Sequence, residues 1–367
     1  MQSDVLIIGG GPAGIATAIA ARLKGLSVTV IDARTPPIDK ACGEGLLPEA
    51  VSALRQFGID PACGFAHSFS GFRFADEDSS ACAHFTAGEA YGIRRTVFHC
   101  LLVGRALDLG VSFRWGTRLM KLDSCCVHTS DGIMAYQWLV GADGQTSSVR
   151  RFAGLDGRRP AKFRFGFRRH YEIAPWTDCV EVHWGEKSQM VVAPTGAEEI
   201  CVSLFTNDPR TRLHYDLDRF PRVARRIAGA RPSSSEAGTM TLLSCARAVT
   251  RENIALVGDA SCTVDGIAGQ GLSLALRQAL HLADAIALGD LGHYAKMHRR
   301  ITRTPTRITR LLLAMNANPA LRRKILRILA AKPAIFAKVL SIHAGHTSLN
   351  VTEAAGILAT GWRAIWA

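Results

Sequence analysis

The segment Gly9-Gly10-Gly11-Pro12-Ala13-Gly14 constrains this chain most, because of what stands on either side of it. Val5-Leu6-Ile7-Ile8 precedes it, a continuous aliphatic run suited to a strand covered on both faces, as in a parallel sheet. Ile15 to Leu23 follows, alanine-rich and with helical spacing. In such a strand–turn–helix, Gly9 permits the tight turn, Gly11 lets backbone approach a diphosphate, and Gly14 lets the helix pack on the sheet. Pro12 and Ala13 open the helix, whose N-terminus offers free N–H groups and about half a positive charge. A second strand, Val28 to Ile31, ends at Asp32, with Ala33 and Arg34 next. A carboxylate there accepts from ribose hydroxyls. The alternative is a glycine-rich turn in an ordinary α/β domain, but strand, turn, helix, strand and acid all fall in place for a dinucleotide.

Nicotinamide and flavin dinucleotides share that fingerprint, and three later segments separate them. Arg95 opens a stretch with apolar residues at 98, 101, 102, 106 and 109, the stripe of an amphipathic helix. Gly141-Ala142-Asp143-Gly144 follows the strand-like Trp138-Leu139-Val140. Gly258-Asp259 ends the strand-like run Ile254 to Val257, and Gly269-Gln270-Gly271-Leu272 then opens a long helix. An aspartate at a strand end holds polyol hydroxyls such as a ribityl chain. A second helix start offers N–H groups to negative charge on a reduced isoalloxazine. A nicotinamide dinucleotide has no ribityl chain, so FAD is the expected cofactor.

The expected fold class is α/β: a Rossmann-like FAD-binding domain with a parallel sheet, an inserted antiparallel-sheet substrate domain and a helical C-terminal tail. The FAD-binding domain is read as discontinuous, over 1–75, 90–160 and 246–290. Residues 76–89 and 161–245 form the substrate domain, and 291–367 the helical region. The insertion rests on strand-like stretches at Phe163–Tyr171, Val180–Trp184, Met190–Ala193 and Ile200–Phe205. Pro232 to Ser235 reads as a surface loop, and the tail is expected to break at Pro305, Pro319 and Pro333.

The formal charge of +13 and pI near 9.6 favour anionic partners: a diphosphate cofactor, an acidic substrate or an anionic membrane surface. Nucleic acid is not expected, since the arginines are scattered and no nucleic-acid-binding pattern accompanies them. Basic residues from Lys296 to Lys338 interleave with apolar ones, which suits either a helix on lipid headgroups or a helical layer with a solvated basic face. No apolar run is long enough to cross a bilayer. With ten cysteines but no Cys-x-x-Cys pair, no metal site is expected. No leader precedes the first strand, so reduced thiols and a cytoplasmic, possible peripheral membrane location are the expectation. The oligomeric state is not legible.

The motifs resemble the flavoprotein superfamily that contains p-hydroxybenzoate hydroxylase, other single-component aromatic hydroxylases and geranylgeranyl reductases. Four elements carry the resemblance: the Gly-rich turn, Arg95 with Phe98 and Leu102, Gly141 to Gly144 with Ser147 and Arg150, and Gly258-Asp259. By resemblance, Arg95 contacts the FAD ribose or diphosphate, Asp143 braces the domain, and Asp259 binds the ribityl-diphosphate segment. Gly271 and Leu272 then present N–H groups to the flavin pyrimidine edge, and Cys42 and Gly43 lie by the cofactor. Two chemistries follow. One is NAD(P)H-dependent hydroxylation of a lipophilic aromatic or polyketide through a flavin C4a-hydroperoxide. The other is saturation of an isoprenoid or polyketide alkene, toward which Cys42-Gly43-Glu44-Gly45-Leu46 and Asp265 point. Against the second, Met190 to Ala193 before Pro194 holds no aromatic. Asp265 to Ser273 resembles bacterial flavoproteins that tailor polyketide phenols, and tilts the expectation to hydroxylation. A flavin-bound accessory protein without catalysis is the third reading. NADPH or NADH, docking transiently, is the expected reductant, with a ferredoxin or partner reductase equally compatible. Candidate catalytic residues are Cys42, His170 and Tyr171, and Glu44 reads as a cap of the helix that follows it.

Overall fold

The computed structural model describes residues 3–62, 64–157 and 163–345. Its first layer is a six-stranded sheet in the order Thr250–Arg251, Ile254–Leu256, Trp138–Gly141, Val5–Ile8, Val28–Asp32, Ser112–Trp115. Every pairing is parallel except that of the short edge strand Thr250–Arg251. Val5–Ile8 is buried throughout, and its side chains alternate between two cores. Val5 and Ile7 meet Ile15, Ile19, Phe98 and Leu276 from the helices Pro12–Leu23, Arg95–Asp108 and Gly271–Ala287. Leu6 and Ile8 meet Val127, Leu139, Val149 and Leu256 on the other face.

This strand order explains why segments far apart in sequence converge. Ile254–Leu256, Trp138–Gly141 and Val5–Ile8 are parallel neighbours, so the turns that leave them emerge from one edge of the sheet. Ligands of open α/β sheets bind outside the carboxyl ends of the strands.

The second layer is a larger, mainly antiparallel sheet built on Arg164–Glu172, Cys179–Trp184, Ser188–Gly196 and Glu199–Thr206. Gly71–Ala75 joins it in parallel with Cys179–Trp184, and Ser80–His84 forms the edge. The domain boundary drawn after residue 75 thus falls inside this hairpin. One face packs Met190, Val192, Val202 and Leu204 against Leu213, Phe220 and Val223. Val182, Trp184 and Phe205 face Ile267, Leu312 and Leu326 on the other.

Three helices follow, Leu291–Ala317, Pro319–Ala331 and Pro333–His343. Pro319 and Pro333 stand in first turns, where a missing N–H is harmless. Pro305, expected to break the tail, lies inside the first of these helices. Around it, hydroxyls of Thr302, Thr306 and Thr309 donate back to the carbonyls of His298, Thr302 and Pro305. The apolar stripe of the tail turns inward through Leu312, Met315, Leu326, Leu329, Phe336 and Leu340, while Arg299, Arg303, Arg307, Arg310, Arg323 and Arg327 stay exposed. Among the described residues, no helix is long and apolar enough to cross a membrane. The remainder of the tail lies outside the described residues.

Two other expectations are corrected. Cys245 and Cys262 face each other in an antiparallel pair and are joined as a disulfide, so the thiols are not all reduced. Pro232 to Ser235 is not merely a surface loop. Pro232 pairs with Tyr171, and Ser233 and Ser234 are half-buried partners of Arg94 and His170.

Candidate cofactor and substrate site

One cavity of about 740 Å³ runs between the two sheets. Its first end is walled by Gly9, Gly11, Pro12, Ala13, Asp32, Ala33, Arg34, Arg95 and Asp143. Gly9 has φ +115°, and a Cβ there would stand 2.3 Å from the Ala142 carbonyl oxygen. A Cβ on Gly14 would stand 1.9 Å from the Gly9 carbonyl oxygen. These two glycines are required by packing. Gly11 is different: among the described residues beyond its chain neighbours, nothing approaches the place of its Cβ more closely than Arg95 Nη2, at 3.9 Å. It looks onto open space.

Partners of the turn hold it still. Gly10 N donates to Asp32 Oδ2 at 2.8 Å, and Arg34 N to Asp32 Oδ1 at 2.8 Å. From the helix Arg95–Asp108, His99 Nε2 reaches the Gly10 carbonyl at 2.8 Å. Burial pushes the His99 imidazole below its ordinary value, so the ring is neutral and Nε2 carries the proton that it donates. His99 was not among the residues expected at the site. Its signal was there, one helical turn after Arg95 and on the same face.

Arg95 lines the cavity, and its Nε is buried with no partner among the described residues. Its backbone N donates to Glu44 Oε1 at 2.9 Å. Glu44 therefore caps the helix that Arg95 opens, and not the helix Pro48–Gln56 that follows it in sequence. The loop that carries Glu44 crosses the helix start, with Glu44 itself at φ +59°.

Asp143 accepts from Ser147 Oγ and from the backbone N of Ser148 and Val149, at 2.6 and 3.2 Å for the latter two. It is a cap for the helix Ser148–Phe152, and burial raises its carboxyl above the usual range. Arg150, after the same turn, donates to the Ala260 carbonyl at 2.9 Å and ties this motif to the next. Gly258, at φ +62°, sits so close to Ala13 that a Cβ would be 2.6 Å from that methyl group. Asp259 pairs with Lys40 at 3.0 Å, a partner that no sequence motif announced.

Gly269, Gly271 and Leu272 line the cavity where the helix Gly271–Ala287 begins. Among the described residues, a Cβ on Gly269 or Gly271 would meet nothing within 4 Å beyond its chain neighbours. Gln270, just before, donates from Nε2 to the His343 carbonyl, which pins this helix start to the end of the last described helix. Beyond it the walls become apolar, with Leu47, Phe69, Phe72, Val180, Val182, Val191, Phe205 and Ile267.

A family profile described as "FAD binding domain" matches residues 2–293. The chain belongs to this family. FAD is thus its cofactor, and it is an FAD-dependent oxidoreductase. It is 25% identical over 322 residues to the menaquinone reductase of Mycolicibacterium smegmatis, covering 80% of this chain and 78% of that protein. It is 26% identical over 316 residues to ubiquinone hydroxylase UbiL of Rhodospirillum rubrum, covering 77% and 72%. Among solved structures, p-nitrophenol 4-monooxygenase PnpA of Pseudomonas putida DLL-E4 shares the fold at a TM-score of 0.79 and 18% identity, over 94% of this chain and 96% of that one.

The residues fit FAD. The open face of Gly11, the unpartnered guanidinium nitrogen of Arg95 and the bare glycines at 269 and 271 leave room and donors along one path. Gly11 to Gly14 and Arg95 would hold the diphosphate, Asp32 the adenosine ribose and Asp259 the ribityl chain. The N–H groups of Gly271 and Leu272 would face the flavin pyrimidine edge. When bound, FAD supplies the redox chemistry.

Cys42, Gly43 and Glu44 line the same cavity. His170 does not reach its wall. Strand alternation points His170 toward the cofactor domain, but Nε2 stops on Glu44 Oε2 at 2.5 Å and Nδ1 on Ser234 Oγ at 2.9 Å. Tyr171 points the opposite way and packs in the outer core beside Leu213 and Phe220. Arg168, on the same strand, does line the cavity, anchored on Asp39 at 2.5 Å. Below the cavity, buried Arg164 pairs with Asp265 at 2.7 Å, joining the substrate sheet to the loop before Gly269.

Proposed function

We propose that this oxidoreductase is an NAD(P)H-dependent monooxygenase that hydroxylates a lipophilic aromatic or polyketide substrate. The observation that carries this reading is the apolar end of the cavity. Phe69, Phe72, Val180, Val182, Val191 and Phe205 form walls next to the helix start that would face the flavin. Such a lining takes an apolar ring system and excludes water, while the cofactor supplies the reactivity. The similarity to a ubiquinone hydroxylase over 77% of the chain supports the same class of substrate.

A second reading, saturation of an isoprenoid or polyketide alkene, is favoured by the similarity to a menaquinone reductase over 80% of the chain. The two are separated by one experiment. Purified yellow protein is mixed with NADH or NADPH, then with oxygen beside candidate phenols or quinols, and the products are weighed by mass spectrometry. A product heavier by one oxygen atom supports the first reading. A product heavier by two hydrogens, formed without oxygen, supports the second. Neither product with any reductant would leave a flavin-bound accessory protein.

Peripheral contact with an anionic membrane belongs to the same proposal, as a route for a lipophilic substrate. The exposed arginines of the C-terminal helices support it. Co-sedimentation with anionic vesicles at low salt tests it, and no binding there refutes it.

A further inference from the structure

The face of the second sheet that turns away from the cavity carries a cluster which the flavin chemistry does not use. Phe72, Val180 and Val182 line the cavity. By strand alternation, Gly71, Cys179 and their cross-strand neighbours face the other way. Gly71 pairs with His84 on one side and Cys179 on the other, and Cys82 stands two residues from His84 on the edge strand. Gly71 has no side chain, so groups from the two flanking strands meet across it. Cys82 Sγ lies 3.5 Å from Cys179 Sγ and 4.0 Å from His84 Nε2.

We propose that Cys82, Cys179 and His84 bind a zinc-class divalent cation, which clips the edge strand Ser80–His84 to the strand Cys179–Trp184. Two thiolates held tetrahedrally at about 2.3 Å from zinc stand about 3.8 Å apart, close to the separation of the two sulfurs. All three ligand atoms lie within 4.8 Å of one another, so small side-chain adjustments bring them onto one ion. The donor set of two soft sulfurs and an imidazole selects zinc over magnesium or calcium.

The surroundings orient the imidazole for this task. His84 Nδ1 is 2.8 Å from Ser70 Oγ, and Ser70 Oγ in turn donates to Asp178 Oδ2. Ser70 N is also fixed on the Asp178 carbonyl at 2.7 Å. A hydroxyl that gives its proton to a carboxylate can accept from Nδ1–H, which leaves the lone pair of Nε2 directed at the sulfurs. Ligating histidines are commonly oriented in this way through their second nitrogen. Cys179 is buried, whereas His84 and Asp178 are exposed, at 57% and 65% of their side chains, so an ion enters from solvent and water completes its shell. The clip has a mechanical consequence. The edge strand it would fasten is the one against which the last two described helices pack, through Ala81 and Ala83 with Leu329, Phe336 and Leu340.

The test uses the full, flavin-loaded chain, reduced, stripped with a mild chelator and titrated with Co2+ as the probe. A single equivalent should give thiolate-to-cobalt charge transfer and the visible bands of a tetrahedral site. Cys82→Ser and Cys179→Ser should abolish the charge transfer. His84→Gln, an exposed and structurally mild change, should weaken binding at least tenfold. Ser70→Ala should weaken it about 10–100-fold through the imidazole. Flavin content should be unchanged in each. The proposal is overturned if the parent shows no thiolate–cobalt band. It is equally overturned if His84→Gln and Ser70→Ala, both folded and yellow, bind Co2+ like the parent. A Cys82–Cys179 disulfide in the protein as purified, resistant to mild reductant, also overturns it.

Discussion

Gly11 and Gly14 belong to one motif, yet the structure predicts opposite consequences for the same change to alanine. Gly11 has φ −78° and ψ 176°, a backbone that alanine adopts freely, and among the described residues beyond its chain neighbours no atom lies closer than 3.9 Å to the added methyl. For the flavin-free fold, Gly11→Ala should therefore be harmless or stabilising by about 0.4–1 kcal/mol, through the smaller freedom of the unfolded chain. The methyl does enter the space above the helix N-terminus where a diphosphate must come close. Loss of one charge-assisted hydrogen bond there costs about 1.5–3 kcal/mol. At 1.4 kcal/mol per decade, FAD should bind roughly 10- to 150-fold more weakly. Gly14→Ala places its methyl 1.9 Å from a backbone oxygen, and a contact of that kind is relieved only by moving helix against strand, for about 1–3 kcal/mol or more. Urea unfolding of the flavin-free variants, beside titration of FAD by quenching of its fluorescence, reads both quantities. Should Gly11→Ala stay folded and keep FAD within twofold of the parent, the diphosphate does not lie over this turn. The glycine turns would then not converge on one dinucleotide.

Removing the His99 imidazole with His99→Leu leaves the Gly10 carbonyl buried without its donor. That should cost about 1–3 kcal/mol of stability in urea, with a parallel loss of FAD affinity; an unchanged midpoint would show that the turn does not need this brace. His298 and His343 are both held down from 6.5 to about 4 by burial, so each is neutral in the fold but titrates near 6.5 when unfolded. Their contribution is whole above about pH 6.5 and is lost as the pH falls toward 4, with about 1 kcal/mol per ring already gone near pH 5.5. Urea midpoints at pH 7.5 and 5.5 should show that fall, and it should be smaller in His343→Asn; a flat profile in the parent refutes the assignment of neutral rings. Lys40→Ala frees Asp259 from a half-exposed ion pair, so stability should change by no more than about 1 kcal/mol. Flavin affinity should move by more than that, and equal shifts of both would remove Lys40 from the cofactor site.

How much of this was legible beforehand depended on how far each signal reached along the chain. The Gly-rich turn, Asp32 and the second helix start at Gly271 carry local signals, since turn geometry and strand ends are written in neighbouring residues. They stood where the spacing put them on one cavity. Their convergence also had a sequence basis, because buried aliphatic runs before each turn imply parallel strands. Lateral contacts had none. Gly71–Ala75 joins the second sheet in parallel with a strand that follows more than a hundred residues later, and its short Gly-Phe-Arg-Phe-Ala run has no turn that would announce that partner. Glu44 shows the same difficulty at the level of one side chain. Its neighbours suggested a cap for the next helix, but a backbone at φ +59° aims it instead at Arg95 N and His170 Nε2. That carboxylate also decides the fate of His170. A histidine on a strand facing the cofactor domain is a fair candidate for proton transfer on sequence grounds. It is a brace once a buried carboxylate on one nitrogen and a serine on the other have used both of its hydrogen-bonding positions. Arg168 lies two residues earlier, on the same face of the strand. It lines the cavity with its guanidinium held between two carboxylates, Nη2 on Asp39 at 2.5 Å and Nε 3.9 Å from Glu44 Oε1.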